Sequence, residues 1–236
     1  MNIGIIGAGA MGCLYACLLS EKQNVTLFDV SPATKDAINE NGIVLSAYGE
    51  DTHTFRVPTL LSGDGTEALD LVILFVKDMA SEAALAGNRR LIGEKTVLLS
   101  LQNGMGNFEI MEKFVPADRI LLGTTKHNCV AEAPGRIYHS GAGVTHIGSP
   151  SGNRAAADRI SDAFNACGVE AVACDDVNHL IWEKLFVNMT INPITALLGA
   201  EIGVIADDEN ARAAADALIR EAVAVAGADG ETFDPD

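Results

Sequence analysis

The stretch NIGIIGAGAMG at residues 2–12 decides the fold. Residues 2–6 are a short run of apolar, β-prone residues, and residues 13–21 place apolar side chains at helical spacing. Between them, Gly7-Ala8-Gly9-Ala10-Met11-Gly12 fits G-x-G-x-x-G. In this pattern the first glycine allows a tight turn, the second lets backbone N–H groups approach a pyrophosphate, and the third lets the helix pack closely on the strand. The order strand, loop, helix predicts a dinucleotide-binding βαβ unit.

Further strand-like runs alternate with helical segments along the first three quarters of the chain. The apolar runs lie at 24–28, 69–76, 96–101 and 120–124, and Ser31-Pro32 is a typical helix start. Strands that alternate with helices predict a parallel sheet. We therefore expect an α/β fold with an N-terminal Rossmann-type, doubly wound parallel sheet.

The pattern of the sequence changes after residue 134. The glycine-rich segment 135–148 predicts an antiparallel hairpin, and after residue 175 the strand-like runs stop. Residues 178–198 and 207–226 have helical patterns. These features predict a dinucleotide-binding Rossmann-like domain at 1–175, followed at 176–236 by the start of an all-helical domain.

Charge and cysteine content exclude several classes of protein. With 16 Lys and Arg against 32 Asp and Glu, the net charge is −16, so we exclude partners that present phosphate backbones or anionic membrane surfaces. The apolar run 71–76 is far shorter than the ~18 residues of a membrane span. Five cysteines without a CxxC fit neither a disulfide framework nor a zinc site. We expect small buried thiols, no metal and a cytoplasmic location.

Three polar residues follow predicted strands at the edge where a dinucleotide lies. Asp29 ends the second strand, where a carboxylate accepts hydrogen bonds from ribose hydroxyls and repels a 2′-phosphate, and no Arg or Lys lies between Asp29 and Lys35. This favours NADH over NADPH, unless Asp29 only caps its turn. Lys77 and Asn103 end later strands and face the same crevice. The alternatives are a solvated charge for Lys77 and an Asn-Gly turn for Asn103.

The segment WEKLFVNMTINP at 182–193 places three polar residues along one helix face. Lys184, Asn188 and Asn192 are spaced i, i+4, i+8, and Pro193 predicts a kink beside them. Reduction of a ketone by hydride needs a proton donor and uncharged groups that orient the substrate. Lys184 fits the first role better than any histidine, of which His127 is the best placed. The alternative is a solvated polar face.

Together these motifs resemble the ketopantoate reductases, also called 2-dehydropantoate 2-reductases. That family makes D-pantoate for pantothenate and coenzyme A synthesis with a nicotinamide cofactor, on a Rossmann domain followed by a helical domain. The motifs that carry the resemblance are GAGAMG at 7–12, Lys77, QNGMG at 102–106, GTTKH at 123–127, GVTHIG at 143–148 and WEKLFVNMTINPITAL at 182–197.

The resemblance implies a role for each matching residue. Lys184 would be the proton donor to a small 2-oxoacid substrate. The substrate-binding residues would be Asn103, Lys184, Asn188 and Asn192. The cofactor would bind Gly7, Ala8, Gly9, Ala10, Met11, Gly12, Asp29, Lys77, Asn103 and Asn128. A homodimer is compatible with these features.

The sequence departs from the family pattern at two places. Members commonly use NADPH and carry a basic residue where this chain has Asp29, so an NAD-dependent D-2-hydroxyacid dehydrogenase of the same superfamily is an alternative. The family's helical domain is also longer and supplies a serine and a glutamate, to which we assign no residue here. We expect a truncated chain, in preference to a disordered end or a partner subunit. A non-catalytic, dinucleotide-binding regulatory module is the alternative from another class.

Overall fold

The computed structural model describes residues 1–49 and 51–234. Within these residues the strands are β1 (Asn2–Ile6), β2 (Asn24–Asp29), β3 (Ile43–Ala47), β4 (His53–Phe55), β5 (Thr59–Leu61), β6 (Leu71–Leu74), β7 (Val97–Ser100), β8 (Ile120–Thr125), β9 (Asn128–Ala133), β10 (Arg136–Gly141), β11 (Thr145–Gly148) and β12 (Ala171–Cys174). The α-helices are α1 (Ala10–Ser20), α2 (Pro32–Asn41), α3 (Ser81–Gly87), α4 (Asn107–Met111), α5 (Arg154–Ala166), α6 (Val177–Leu198), α7 (Val204–Asp207) and α8 (Glu209–Ala228).

The main sheet confirms the predicted Rossmann-type fold. Its strand order is β12-β11-β8-β7-β6-β1-β2-β5, and the six strands from β8 to β5 are parallel. From β1, the chain adds β2 and β5 on one side and β6, β7 and β8 on the other. The strand order therefore reverses beside β1, and in such sheets ligands bind outside the carboxyl ends of the strands at this point.

Two strands at one edge run against the others, which the sequence analysis did not predict. β11 pairs antiparallel with β8, and β12 pairs parallel with β11. The reason is the connection: a parallel neighbour needs a crossover, usually a helix, whereas an antiparallel neighbour does not. The segment between β8 and β11 holds only strands, while α5 connects β11 to β12. The sheet is therefore mixed.

A second sheet has the order β4-β3-β10-β9. The prediction of a hairpin over 135–148 is wrong, because β10 pairs antiparallel with β9 while β11 lies in the main sheet. The hairpin is β9–β10, one strand earlier than predicted. β10 also pairs in parallel with β3, from Arg136↔Val44 to His139↔Ala47. This long-range pairing has no signal in local periodicity.

Helix α1 is buried between the two sheets. It contacts β2 of the main sheet and β3, β9 and β10 of the second. Its residues Gly12–Cys17 and Leu19 are buried, which explains why the chain carries no charge from residue 3 to residue 19. Cys13, Cys17 and Cys167 are buried free thiols, as predicted, whereas Cys129 and Cys174 are only half-buried. Burial raises the pKa of Cys13 to about 12.

The polypeptide divides into two compact units. The first comprises Met1–Gln102 and Gly106–Val177, and the second comprises Asn103–Met105 and Asn178–Asp236. The second contains most of α6 and all of α7 and α8. In α8, the buried residues are Ala211, Ala215, Ala222 and Ala226. None of the helices in the described ranges is long and apolar enough to cross a bilayer.

Candidate active site

The glycine loop after β1 has a shape that only its glycines allow. Gly7 has φ 106°, and its N–H donates to the carbonyl of Phe28 at 2.8 Å. A Cβ on Gly12 would lie 1.8 Å from the carbonyl oxygen of Gly7. The turn geometry therefore requires glycine at position 7, and the close packing of helix on strand requires glycine at position 12, as the sequence predicts.

The middle glycine leaves room for a ligand at the start of α1. Gly9 is exposed, its backbone is extended, and a Cβ built on it would meet no atom within 4 Å. The first turn of α1 carries no acidic residue and no side-chain cap. The N–H groups at the start of a helix lack intrahelical acceptors and favour anions. These residues fit the pyrophosphate of a dinucleotide.

The Asp29 carboxylate links the end of β2 to the glycine loop. Its Oδ2 accepts the N–H of Ala8 at 2.8 Å, and its Oδ1 accepts the N–H of Ser31 at 2.8 Å. Asp29 therefore caps its own turn, and it also braces the loop. Each carboxylate oxygen can accept more than one hydrogen bond, so both remain able to accept from ribose hydroxyls.

The nearest cation along the chain after Asp29 is already engaged. Lys35 Nζ lies 2.8 Å from Oδ1 of Asp36, and this hydrogen bond raises the pKa of the lysine. Residues 30–34 contain no Lys or Arg. A 2′-phosphate beside Asp29 would meet a negative charge and a lysine that is paired with another carboxylate.

The loops after β6 and β7 carry Lys77 and Asn103, and both residues are exposed. The side chain of Gln102 connects the two loops. Its Nε2 donates to the carbonyl of Val76 at 2.7 Å and to Oγ of Ser81 at 2.8 Å. Gln102 lies within the QNGMG motif, but the sequence did not predict a role for it. An uncharged amide beside an Asn-Gly turn has no feature in the sequence that indicates its contacts.

His127 follows β8 and precedes exposed Asn128, and its ring pairs with that of His139 in β10. His127 Nδ1 lies 3.0 Å from His139 Nε2, and the backbone N–H of His127 donates to Thr125 Oγ1 at 3.1 Å. Burial, and then His139, lower the pKa of His127 below its ordinary value. A lowered pKa favours the neutral imidazole, which disfavours His127 as a proton donor.

Buried Tyr15 supports this region from α1. Its hydroxyl shares a 2.6 Å hydrogen bond with Thr145 Oγ1, and Thr145 donates to Thr125 Oγ1 at 3.4 Å. The Tyr15 ring meets the edge of His127 with ring centroids 5.8 Å apart. The helix that begins at the glycine loop is thus connected to the carboxyl end of β8.

Helix α6 carries the predicted polar stripe and continues past Pro193 to Leu198. Lys184 and Asn188 are half-buried and Asn192 is exposed. Asn192 Nδ2 donates to Asn188 Oδ1 at 3.4 Å, so the two amides lie side by side on one helix face. Burial lowers the pKa of Lys184 from its ordinary value. A lowered pKa makes the ammonium a stronger acid, which suits a proton donor.

The predicted site residues divide between the two units of the chain. The first unit contains Asp29, Lys77, Asn128 and the glycine loop. The second contains the four residues predicted to bind substrate: Asn103, Lys184, Asn188 and Asn192. Each unit thus gathers the residues of one predicted role, with Asn103 assigned to both roles.

The segment after α8 contacts α6 within the second unit. Trp182 Nε1 donates to Asp229 Oδ2 at 3.0 Å, and Phe233 packs edge-on against Phe186 with ring centroids 4.7 Å apart. His179 Nδ1 lies 3.2 Å from a carboxylate oxygen of Glu231. These contacts secure the helix turns around Lys184.

Comparison with known proteins gives matches over nearly the whole chain. Residues 3–152 match the family model Ketopantoate reductase PanE/ApbA, and residues 176–236 match Ketopantoate reductase PanE/ApbA C terminal. A curated 2-dehydropantoate 2-reductase from Streptococcus pyogenes serotype M3 is 34% identical over 233 residues, which are 98% of this chain and 75% of that protein.

Two solved structures show the same fold. The ternary structure of D-mandelate dehydrogenase with NADH and anilino(oxo)acetate has a TM-score of 0.94 at 29% identity and covers 100% of this chain and 76% of that one. The 2-dehydropantoate 2-reductase from Geobacter metallireducens GS-15 has a TM-score of 0.85 at 28% identity, over 95% of this chain and 76% of that one.

The mixed Rossmann-type sheet, the glycine loop and the following helical unit define a nicotinamide-dependent oxidoreductase that acts on CH–OH groups. The chain belongs to the ketopantoate reductase family, so the resemblance seen in its motifs is confirmed.

Proposed function

We propose that this chain reduces the carbonyl group of 2-dehydropantoate to give D-pantoate, a step of pantothenate and coenzyme A synthesis. The observation that carries the proposal is the half-buried Lys184 on the polar stripe of α6, in a chain that matches curated 2-dehydropantoate 2-reductases over 98% of its length. Residues 1–175 would bind the cofactor, and residues 176–236 with Asn103 would bind the substrate.

The glycine loop and its neighbours hold the cofactor in this proposal. The N–H groups at the start of α1 bind the pyrophosphate, while Asp29 accepts from the ribose. Lys77, Asn103 and Asn128 complete the cofactor contacts. The bound NAD(P)H supplies a hydride to the substrate carbonyl carbon.

Lys184 supplies the proton that the product hydroxyl needs. Its ammonium donates a hydrogen bond to the carbonyl oxygen and transfers one proton as the carbon accepts the hydride, so C=O becomes CH–OH. The lysine is left neutral and is protonated again from solvent. Asn188 and Asn192 donate and accept hydrogen bonds without charge, so they orient the substrate without suppressing the acidity of Lys184.

We further propose that NADH is the preferred cofactor. Replacing Asp29 with Ala removes the negative charge that opposes a 2′-phosphate and the acceptor for the ribose hydroxyls. We expect Asp29→Ala to weaken NADH binding by about tenfold, the loss of roughly one charged hydrogen bond. We expect NADPH binding to change less, so that the preference for NADH falls.

The matched control for this variant is Asp162→Ala, which removes an exposed carboxylate from α5. Titration calorimetry with each cofactor should leave the control's preference equal to the wild type's. A wild type that prefers NADPH would contradict the role of Asp29 in selection.

A second candidate function rests on the D-mandelate dehydrogenase structure with NADH, whose fold matches at a TM-score of 0.94. In that case the chain is an NAD-dependent D-2-hydroxyacid dehydrogenase with another 2-oxoacid as substrate. The proton donor and the hydride step are the same, and the difference lies in the substrate side chain.

One experiment separates these functions. The full chain is mixed with NADH or NADPH and with 2-dehydropantoate or benzoylformate, and cofactor oxidation is followed by absorbance. We expect the highest kcat/KM with NADH and 2-dehydropantoate. Higher kcat/KM with benzoylformate supports the dehydrogenase, and cofactor binding without turnover of either substrate supports a non-catalytic regulatory module.

A further inference from the structure

The amide of Gln102 is the polar connection between two loops at the carboxyl edge of the main sheet. Its Nε2 donates to Val76 O and to Ser81 Oγ, while its Oε1 accepts from Ser100 Oγ at 2.9 Å. The backbone N–H of Gln102 donates to Ser100 Oγ at 3.3 Å. Both donors and the acceptor of this amide are therefore used within the fold.

The partners of Gln102 are rigid parts of the structure. Ser81 is 0% exposed and Ser100 is 2% exposed. Ser81 begins α3, and Ser100 ends β7 in register with Leu74 of β6. The amide therefore attaches the loop after β6 to a buried strand end and a buried helix start. An amide whose donors and acceptor are all satisfied by the fold has one preferred orientation.

Each end of this connection is one peptide bond away from a residue with a proposed role. Val76 precedes Lys77, and Gln102 precedes Asn103. Lys77 and Asn103 are exposed, so the fold holds their side chains weakly, and their positions depend on the backbone beside them. The bonds of Gln102 fix that backbone on both sides.

We propose that Gln102 is a positioning residue, which holds the backbone before Lys77 and the backbone before Asn103 in the conformations that ligand binding by those two side chains needs. This rests on the proposed function, because the roles of Lys77 in cofactor binding and of Asn103 in binding cofactor and substrate are part of it. Gln102 acts through its two donors, and its own side chain needs no contact with the ligand.

The first test is Gln102→Met, which keeps the side-chain length and removes the hydrogen bonds. Because the carbonyl of Val76 and the hydroxyl of Ser81 lose their donor, the Val76–Lys77 backbone loses its fixed position. We expect the Kd for NADH to rise about tenfold by calorimetry, and KM for the 2-oxoacid to rise by a similar factor, on the scale of lost hydrogen bonds. We expect kcat to fall by less, since Lys184 is intact.

The matched control is Asn39→Leu, which removes another amide whose donor and acceptor are both engaged, elsewhere in the same unit. Asn39 Nδ2 donates to Thr59 O at 2.8 Å, and its Oδ1 accepts the N–H of Thr59 at 3.0 Å, which ties α2 to the start of β5. Both variants should lower Tm, since each leaves backbone groups unsatisfied. Only Gln102→Met should change Kd and KM.

A double-mutant cycle distinguishes positioning from a general loss of structure. If Gln102 acts through Lys77, the effects of Gln102→Met and Lys77→Ala on the Kd for NADH are not additive, because the second change removes what the first one displaces. If Gln102 acts through Asn103, the effects of Gln102→Met and Asn103→Ala on KM for the 2-oxoacid are likewise not additive. Additive effects in both cycles would overturn the proposal, as would Gln102→Met behaving like Asn39→Leu.

Two further variants cover the remaining outcomes. If Gln102→Met does not fold, Ser100→Ala leaves the amide in place and removes the group that orients its Oε1, and a smaller rise in Kd and KM is expected. No change in either value contradicts the proposal. A wild type that reduces neither substrate refutes the proposed function instead, while the cycle between Gln102 and Lys77 for NADH binding still tests this inference.

Discussion

Lys184→Ala is expected to lower kcat for reduction of the 2-oxoacid by roughly 10²- to 10⁴-fold, the range for loss of a general acid. The hydride step develops negative charge on the carbonyl oxygen, and without the ammonium no other charged donor lies on the stripe of α6. Asn188 and Asn192 remain to orient the substrate. Cofactor binding should be unchanged within about twofold, because the glycine loop and Asp29 are untouched.

Two variants sharpen the interpretation of that loss. Lys184→Arg keeps a positive charge on the helix, but a guanidinium does not lose its proton at neutral pH. It should bind substrate better than Lys184→Ala and remain slow. Lys95→Ala removes an exposed lysine before β7 and should match the wild type. These values are measured by steady-state kinetics. If kcat of Lys184→Ala stays within a few-fold of the wild-type value, Lys184 is not the acid.

The pH dependence of kcat is a separate test of the same residue. Burial lowers the pKa of Lys184, so the protonated, active form is lost at a lower pH than for an exposed lysine. Reduction should be constant below that pKa and should fall as pH rises through it. Oxidation of pantoate needs the neutral amine and should rise over the same range. A reductive rate that increases with pH would contradict this assignment.

The N-terminal half of the fold could be predicted because its signals are local. Residues 2–12 predict a strand, a tight turn and the start of a helix in direct succession. Apolar runs such as 69–76 indicate strands that are buried on both faces. The second sheet could not be predicted in the same way. The pairing of Arg136 with Val44 joins short, partly exposed strands that are far apart in the sequence, so neither periodicity nor turn chemistry indicates it.

The candidate site shows the same contrast between local and distant signals. Lys184, Asn188 and Asn192 follow helical spacing, so one segment of sequence places them on one face. The brace from Asp29 to Ala8 and the amide network of Gln102 join residues on different strands and loops. Such contacts depend on the packed sheet, and their members are ordinary polar residues in sequence.

Gly12→Ala is expected to disrupt both the fold of the loop and cofactor binding. The added Cβ would lie 1.8 Å from the carbonyl oxygen of Gly7, which is backbone and cannot rotate away as a side chain could. Helix α1 would have to move from β1, although it is buried on all sides. We expect the free energy of unfolding to fall by about 3 kcal/mol or more, which is at the upper end of the cost of overpacking a core. Tm should fall by roughly 10 °C.

Gly9→Ala provides the contrast, because it places the same methyl group in the same loop. Gly9 has φ −76° and ψ −170°, which alanine adopts without strain, and its Cβ would meet no protein atom within 4 Å. Tm should therefore stay at the wild-type value. The methyl group would instead occupy the space through which the pyrophosphate approaches the N–H groups of α1, so the Kd for NADH should rise by about tenfold or more. Calorimetry and thermal unfolding of both variants separate the two effects: Gly12 is required by the protein, and Gly9 by the ligand. If Gly9→Ala binds NADH like the wild type, the pyrophosphate does not lie against this loop.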